Sequence, residues 1–236
     1  REKVIRLKDK LEVVYSDEDW QLLKKIREEA TSYMKILQES GISSTVHGSV
    51  ARGDVSSTSD IDIFIPVEVS SFKVEMALKG AEIDFSSRRI ELATPQHSIK
   101  AHIDLAEDRT ITFPLVKMKR RELEFYRFGG VIDLNDMLAD KRVVGVDKRL
   151  ILIEPTTIGH YESSIIGKES SIARLLGVSV DLVEERVRVL SRRDVVGRTG
   201  VYLKRELTPD ENFEQVLKKI SERDPIIRRR LLDSGR

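Results

Sequence analysis

Apolar residues recur at helical spacing through Trp20, Leu23, Ile26, Tyr33, Ile36 and Leu37, which predicts a first long helix. Ser16 stands where it can cap that helix, Asp19 three residues on can complete a capping box, and Gly41 is placed to end it. The period then shortens to two. Residues 44–47 and 60–65 read as strands, the second being Asp60-Ile61-Asp62-Ile63-Phe64-Ile65, which stops at Pro66. A helix over 71–79 closes at Gly80, and 89–92 and 100–105 read as two further strands around the Pro95-Gln96 turn. A basic, helical stretch over 114–128 ends at Gly129-Gly130, and 142–153 reads as two short strands around Asp147-Lys148.

Near residue 155 the pattern changes, so the chain is expected to divide into domains 1–155 and 156–236, the first with strands and helices mixed and the second mostly helical. One helix of the second part runs to Gly177, and the next carries Val183, Val187 and Leu190 on one face. The turn Gly197-Arg198-Thr199-Gly200 leads into a strand over 201–207 in which Val201, Leu203, Arg205 and Leu207 share one side. Thr208-Pro209-Asp210-Glu211 predicts an N-cap, a first-turn proline and a capping-box glutamate for a helix over 213–220, and Asp224-Pro225 opens a last helix.

Composition narrows the chemistry. The 236 residues include 41 Lys+Arg, 40 Asp+Glu, 4 His, one Trp and no Cys, with 40% hydrophobic and 34% charged residues. Such a chain is too apolar to be disordered and too charged to be embedded in a membrane. Its longest stretch free of charged residues, 40–51, falls short of the ~18 apolar residues that a spanning helix needs. No apolar core follows Arg1-Glu2-Lys3, so a secretory signal is absent or was removed, and a cytoplasmic location is expected. Without cysteine there are no disulfides, thiolate nucleophiles or Cys-bound zinc, and carboxylate, hydroxyl, His or Lys chemistry remains. His47, His97, His102 and His160 lack the spacing of a zinc site.

The richest stretch is His47-Gly48-Ser49-Val50-Ala51-Arg52-Gly53-Asp54, followed after ten residues from Ser49 by Asp60-Ile61-Asp62. Positions two apart on a strand face the same way, so Asp60 and Asp62 project together and repel unless a cation lies between them. Oxygen ligands on a rigid strand suit Mg²⁺ shared with substrate phosphates. Gly48 permits close backbone approach, the Ser49 hydroxyl and nearby amides can face a phosphate, and Arg52 adds a cation, or simply pairs with Asp54. Asp104, between Ile103 and Leu105 on a neighbouring strand, is the candidate third carboxylate, and His102 would share its face.

These residues resemble the DNA polymerase β-like nucleotidyltransferase superfamily, whose signature is Gly-Ser, a spacer, Asp-x-Asp between apolar residues and a later lone Asp. Gly48-Ser49, Asp60-Ile61-Asp62 and Ile103-Asp104-Leu105 match those elements over roughly residues 20–110, most closely in the form of the small archaeal and bacterial members that begin Gly-Ser-x-Ala-Arg-Gly-Asp. The resemblance implies an α/β (α+β) fold with a mixed sheet flanked by helices, an NTP donor, and two Mg²⁺ ions held by Asp60, Asp62 and Asp104. It also implies that Asp104 helps activate an acceptor hydroxyl, with release of pyrophosphate.

In the second half, Ala173-x-x-Leu176-Gly177-Val178-Ser179 with Val183, Arg186 and Val187 resembles a helix-turn-helix, and 195–207 resembles the wing of a winged helix. Arg186, Arg188, Arg192, Arg193, Arg198, Lys204 and Arg205 would then supply contacts to nucleic acid, although Asp181, Glu184 and Glu185 share the helix. The reading is therefore a Mg-dependent nucleotidyltransferase joined to a nucleic-acid-binding module. Two alternatives stand beside it: a DNA-binding regulator whose nucleotidyltransferase fold senses a ligand, and an enzyme that modifies a protein hydroxyl.

Overall fold

The computed structural model describes residues 4–7, 9–106, 108–197 and 200–234. The chain opens with β1 (Leu11–Val14) and α1 (Asp17–Glu39), then β2 (Thr45–His47), the single turn α2 (Ser49–Arg52), β3 (Ile61–Phe64) and α3 (Ser71–Gly80). A meander follows: β4 (Ser87–Leu92), β5 (Lys100–Ala106) and β6 (Arg109–Pro114). Next come α4 (Arg120–Gly129), β7 (Val131–Asp133), α5 (Leu134–Leu138), β8 (Gly145–Val146), β9 (Ile151–Thr156) and β10 (Gly159–Ser164). The chain closes with α6 (Glu169–Leu176), α7 (Val180–Val196), β11 (Leu203–Glu206), α8 (Phe213–Arg223) and α9 (Pro225–Ser234). The expected class, mixed α and β with a mixed sheet and a helical region after it, is what forms.

Local chemistry explains the boundaries. The Ser16 amide donates to Asp19 Oδ2 at 2.9 Å and the Asp19 amide donates back to Ser16 Oγ at 3.2 Å, so the capping box that starts α1 closes as expected. Hydrogen bonds from the Ser16 amide and hydroxyl hold the Asp19 carboxyl below its ordinary range. Helix α8 begins at Phe213 as expected, but Thr208 does not cap it. Its cap is Asn212, whose side chain accepts from the Gln215 amide at 2.8 Å, while Thr208 and Glu211 close a separate turn. Strand β6 is not foreseen from the sequence, because its Thr-Ile-Thr-Phe alternation abuts Pro114, which reads as a helix start; α4 begins only at Arg120.

Where the sequence suggests one cut after residue 155, the contacts form two compact units of three segments each. The first takes the described residues of Arg1–Thr31, Val46–Ser59 and Leu123–Thr199, the second those of Ser32–Thr45, Asp60–Glu122 and Gly200–Arg236. In the first unit an antiparallel sheet runs β1-β10-β9-β8. Leu150, Leu152 and Ile165 share one core with Ile172, Leu176, Val183 and Leu190, so α6 and α7 are packed onto strand residues that precede residue 156. The turn between these helices is tied to α4: the Ser179 amide and hydroxyl both donate to Glu124 Oε2, at 3.1 and 2.7 Å.

In the second unit the strand order is β11-β4-β5-β6-β3, with β3 and β6 parallel and the other pairs antiparallel. This corrects the expected wing. Val195 and Val196 finish α7, and Leu203–Glu206 pairs with β4, placing Leu203 opposite Leu92 and Arg205 opposite Ile90. One face of this sheet is apolar through Ile61, Ile63, Ile90, Leu92, Ala101, Ile103, Ile111 and Phe113, all buried. Phe213 of α8 meets Phe113 edge to face, ring centroids 5.7 Å apart. The C-terminal segment thus completes the sheet of the second unit and part of its core.

Candidate active site

The other face of the second unit's sheet is polar. Because side chains alternate along each strand, the register alone collects Ser87, Arg89 and Glu91 from β4, Lys100, His102 and Asp104 from β5, Thr110 and Thr112 from β6 and Asp62 from β3. Asp62 stands opposite Thr110, and Thr110 opposite Asp104, so two of the three expected carboxylates share one face with a hydroxyl between their strands. Asp60 lies exposed just ahead of β3, two residues from Asp62. The β5–β6 register shifts directly after Asp104, a bulge of the kind that re-aims a side chain.

Asp104 is held by three neighbouring side chains. Its Oδ2 accepts from the Ser87 hydroxyl at 2.5 Å and from the Arg89 guanidinium, and its Oδ1 accepts from the Thr110 hydroxyl at 2.9 Å. Burial pushes the carboxyl up, but the bonds from Arg89 and Ser87, the Arg89 charge and the Thr110 hydroxyl outweigh it and hold the group below its ordinary range. The main chain is clamped too, since the Ser86 amide and hydroxyl donate to the Asp104 carbonyl at 2.7 and 3.0 Å. Beside it, burial and then the charges of Arg89 and Lys100 push the His102 imidazole down to about 3, leaving a neutral ring whose Nδ1 lies 2.9 Å from the Thr112 hydroxyl.

Gly48, Ser49 and Arg52 belong to the first unit. Gly48 has φ +76° and Gly53, which ends α2, has φ +100°, backbone conformations that favour glycine at both ends of the turn. A side chain at Gly53 would also strike Arg142. The Ser49 hydroxyl bonds Ser59, the residue before Asp60, at 3.3 Å. Arg52 is 5% exposed and spent within the fold: one amino group donates to the Gly129 carbonyl at 2.6 Å and the other to Asp54 at 2.8 Å. The pairing with Asp54, one of the two roles the sequence leaves open for it, is present.

Residues 21–127 match the family model described as "Nucleotidyltransferase domain". No curated protein and no solved structure matches the chain. The matched segment contains Gly48, Ser49, Asp60, Asp62 and Asp104, and the match supports nucleotidyl transfer as the general chemistry. Its donor set is of the right type for a hard divalent cation, namely carboxylate oxygens on one sheet face. The arrangement is not a ready-made cage: among the described residues no three His, Asp or Glu groups converge to hold a metal ion, and Asp104 is closed on Arg89.

Outside the matched segment, the basic residues of α7 differ in use. The Arg186 guanidinium stacks over the Phe125 ring at 4.9 Å, and burial, reinforced by Arg193, lowers it to about 10. Arg188 and Arg192 are exposed and Arg193 is half-buried. Lys204 is exposed on β11 of the second unit, and Arg205 donates to both carboxylate oxygens of Glu211 at 3.0 Å. Arg198 lies outside the described residues. Among the described residues no helix is long and apolar enough to cross a membrane.

Sequence reasoning does not single out Ser87, Arg89 or Thr110, although all three hold Asp104. The signal for Arg89 is present: the expected strand over 89–92 places 89 and 91 on one face. Which face that is depends on the pairing of β4 with β5.

Proposed function

We propose that this chain transfers a nucleoside monophosphate from an NTP to a hydroxyl acceptor in a divalent-metal-dependent reaction. The observation that carries the reading is the in-register row of Asp62, Thr110 and Asp104 on the polar sheet face, inside the segment that matches the nucleotidyltransferase family. In this reading Asp60, Asp62 and Asp104 hold two Mg²⁺ ions, which when bound neutralise charge at the α-phosphate. Asp104, kept ionised by its partners, takes the proton of the acceptor hydroxyl as that oxygen bonds to the α-phosphorus. The bond to the β-phosphate oxygen breaks and pyrophosphate leaves. Gly48 and Ser49 receive NTP phosphate oxygens through the backbone and the serine hydroxyl. Arg52 supports them as a positioning residue, by holding α2 to Gly129 and Asp54.

Nucleic acid is the acceptor class this reading favours, because Arg188, Arg192 and Lys204 present exposed cations that suit phosphate, with Arg193 beside them in sequence on α7. Calorimetric titration of the full chain with each NTP, with and without Mg²⁺, tests the donor site. Binding that needs the metal and is lost in Asp60→Asn/Asp62→Asn is expected; no binding of any NTP by the wild type contradicts the proposal. Label from an α-labelled NTP on a polynucleotide supports the nucleic-acid acceptor, and label on protein replaces it with a protein hydroxyl.

A further inference from the structure

Asp104 has a guanidinium where the proposed reaction needs a metal. Arg89 reaches it diagonally across the β4–β5 pair, since the residue directly opposite Asp104 is Ser87 and the one opposite Arg89 is His102. The pair is partly shielded from water, with side-chain exposures of 20% for Arg89 and 21% for Asp104, so its charges interact more strongly than at an open surface. A second carboxylate is within reach of the same arginine: Glu91 Oε2 stands 3.6 Å from Arg89 Nε, two residues along β4 and on the same face. Arg89 therefore has two anionic partners on one sheet face, Asp104 and Glu91. Both oxygens of Asp104 are already accepting hydrogen bonds, one from Arg89 and Ser87 and the other from Thr110.

Resting on the nucleotidyl-transfer reading, we propose that Arg89 is the resident counter-cation of Asp104, displaced toward Glu91 when a divalent cation loads onto the carboxylate. Two facts support it independently of the reaction. A carboxylate offers about four lone-pair positions, and the three hydrogen bonds present leave little room for a metal bond while the guanidinium stays. A cation arriving beside Arg89 would also meet like charge, which a move to Glu91 relieves without exposing the guanidinium unpaired. Arg89 is thus a positioning residue: it pairs with and orients Asp104 before loading, at the cost of metal affinity. Arg88, its neighbour, could not serve, because it lies on the opposite face, bound to Glu75 and to the Thr208 and Pro209 carbonyls.

The test is Mn²⁺ affinity of the full chain without nucleotide, read from the paramagnetic resonance signal of free Mn²⁺. Arg89→Gln is expected to bind Mn²⁺ about tenfold more tightly than wild type, the order expected for removing one nearby positive charge in a partly shielded site. The gain should vanish in Arg89→Gln/Asp104→Asn. Glu91→Gln, which takes away the second partner of Arg89, should weaken binding about threefold, and it keeps the test open if Arg89→Gln fails to fold. An unchanged or weaker affinity in folded Arg89→Gln, a gain that survives Asp104→Asn, or an unchanged affinity in Glu91→Gln overturns the inference. Wild-type binding that depends on Asp60 and Asp62 but ignores Arg89 would overturn this inference alone, whereas no Mn²⁺ binding in any variant, with NTP or without it, would overturn the nucleotidyl-transfer reading with it.

Discussion

Arg27, Arg52 and Arg142 of the first unit and Arg89 on the polar face of the second use the same functional group differently. In the first unit Arg27 donates to the Val50 and Lys141 carbonyls, Arg52 to the Gly129 carbonyl and Arg142 to the Gly159 and Thr156 carbonyls. Backbone acceptors are fixed by the fold, so these guanidiniums set the shape of the Gly48–Gly53 turn and what surrounds it. Arg89 in the second unit instead faces two side-chain carboxylates, Asp104 and Glu91, which ligands can compete for. Among these four arginines the fixed backbone acceptors mark the three that hold the scaffold.

The largest effect that would sharpen this contrast is catalytic. Asp62→Asn should lower nucleotidyl transfer about a thousandfold or more, the several kcal/mol that charge stabilisation by bound metal contributes, while melting stays within a few degrees of wild type. A similar loss accompanied by unfolding would place Asp62 with the scaffold instead. Arg52→Met should do the reverse. Leaving Asp54 buried without its partner should cost about 3–5 kcal/mol in a denaturant titration. Phe213→Ala should cost about 3–4 kcal/mol, because the ring is fully buried against Phe113. An unchanged stability there would mean that the C-terminal segment folds apart from the sheet it completes.

A smaller effect is set by pH. Glu122 accepts from the Ser98 hydroxyl and amide at 2.6 and 2.7 Å and from the Lys119 amide at 3.2 Å. Burial pushes its carboxyl up, yet those bonds and the Lys100 charge hold it below its ordinary 4.5. A carboxyl depressed in the folded state adds stability above its unfolded value, and that contribution is lost as pH falls through 4.5 and on toward the folded value. Wild type should therefore melt well above Glu122→Gln at pH 7, and the gap should narrow below pH 4.5; a constant gap would assign the effect to packing.

Much of the local structure was legible in the sequence because alternation and caps are local. Asp60-Ile61-Asp62 and Ile103-Asp104-Leu105 declare which side chains share a face, and Ser16 with Asp19 declares where α1 starts. What stayed hidden is long-range. Nothing near residue 203 says that β11 will pair with β4, and nothing near residue 186 says that Arg186 will lie over Phe125 rather than face solvent. The same limit separates Arg52 from Arg89: each is a basic residue near a carboxylate in sequence, and only the strand register and the distant Gly129 carbonyl assign their roles. The β6 strand was masked by its own ending, Pro114, which is equally at home opening a helix.

The most direct test of the central claim is pyrophosphate release by the full chain from each NTP with Mg²⁺, supplied with either total RNA or denatured protein as acceptor, for wild type beside Asp104→Asn. Release that depends on both acceptor and metal, and that falls about a thousandfold in a folded Asp104→Asn, is the predicted result. Release that Asp104→Asn leaves untouched, or no release from any NTP with either acceptor, would contradict the assignment of the polar sheet face to nucleotidyl transfer.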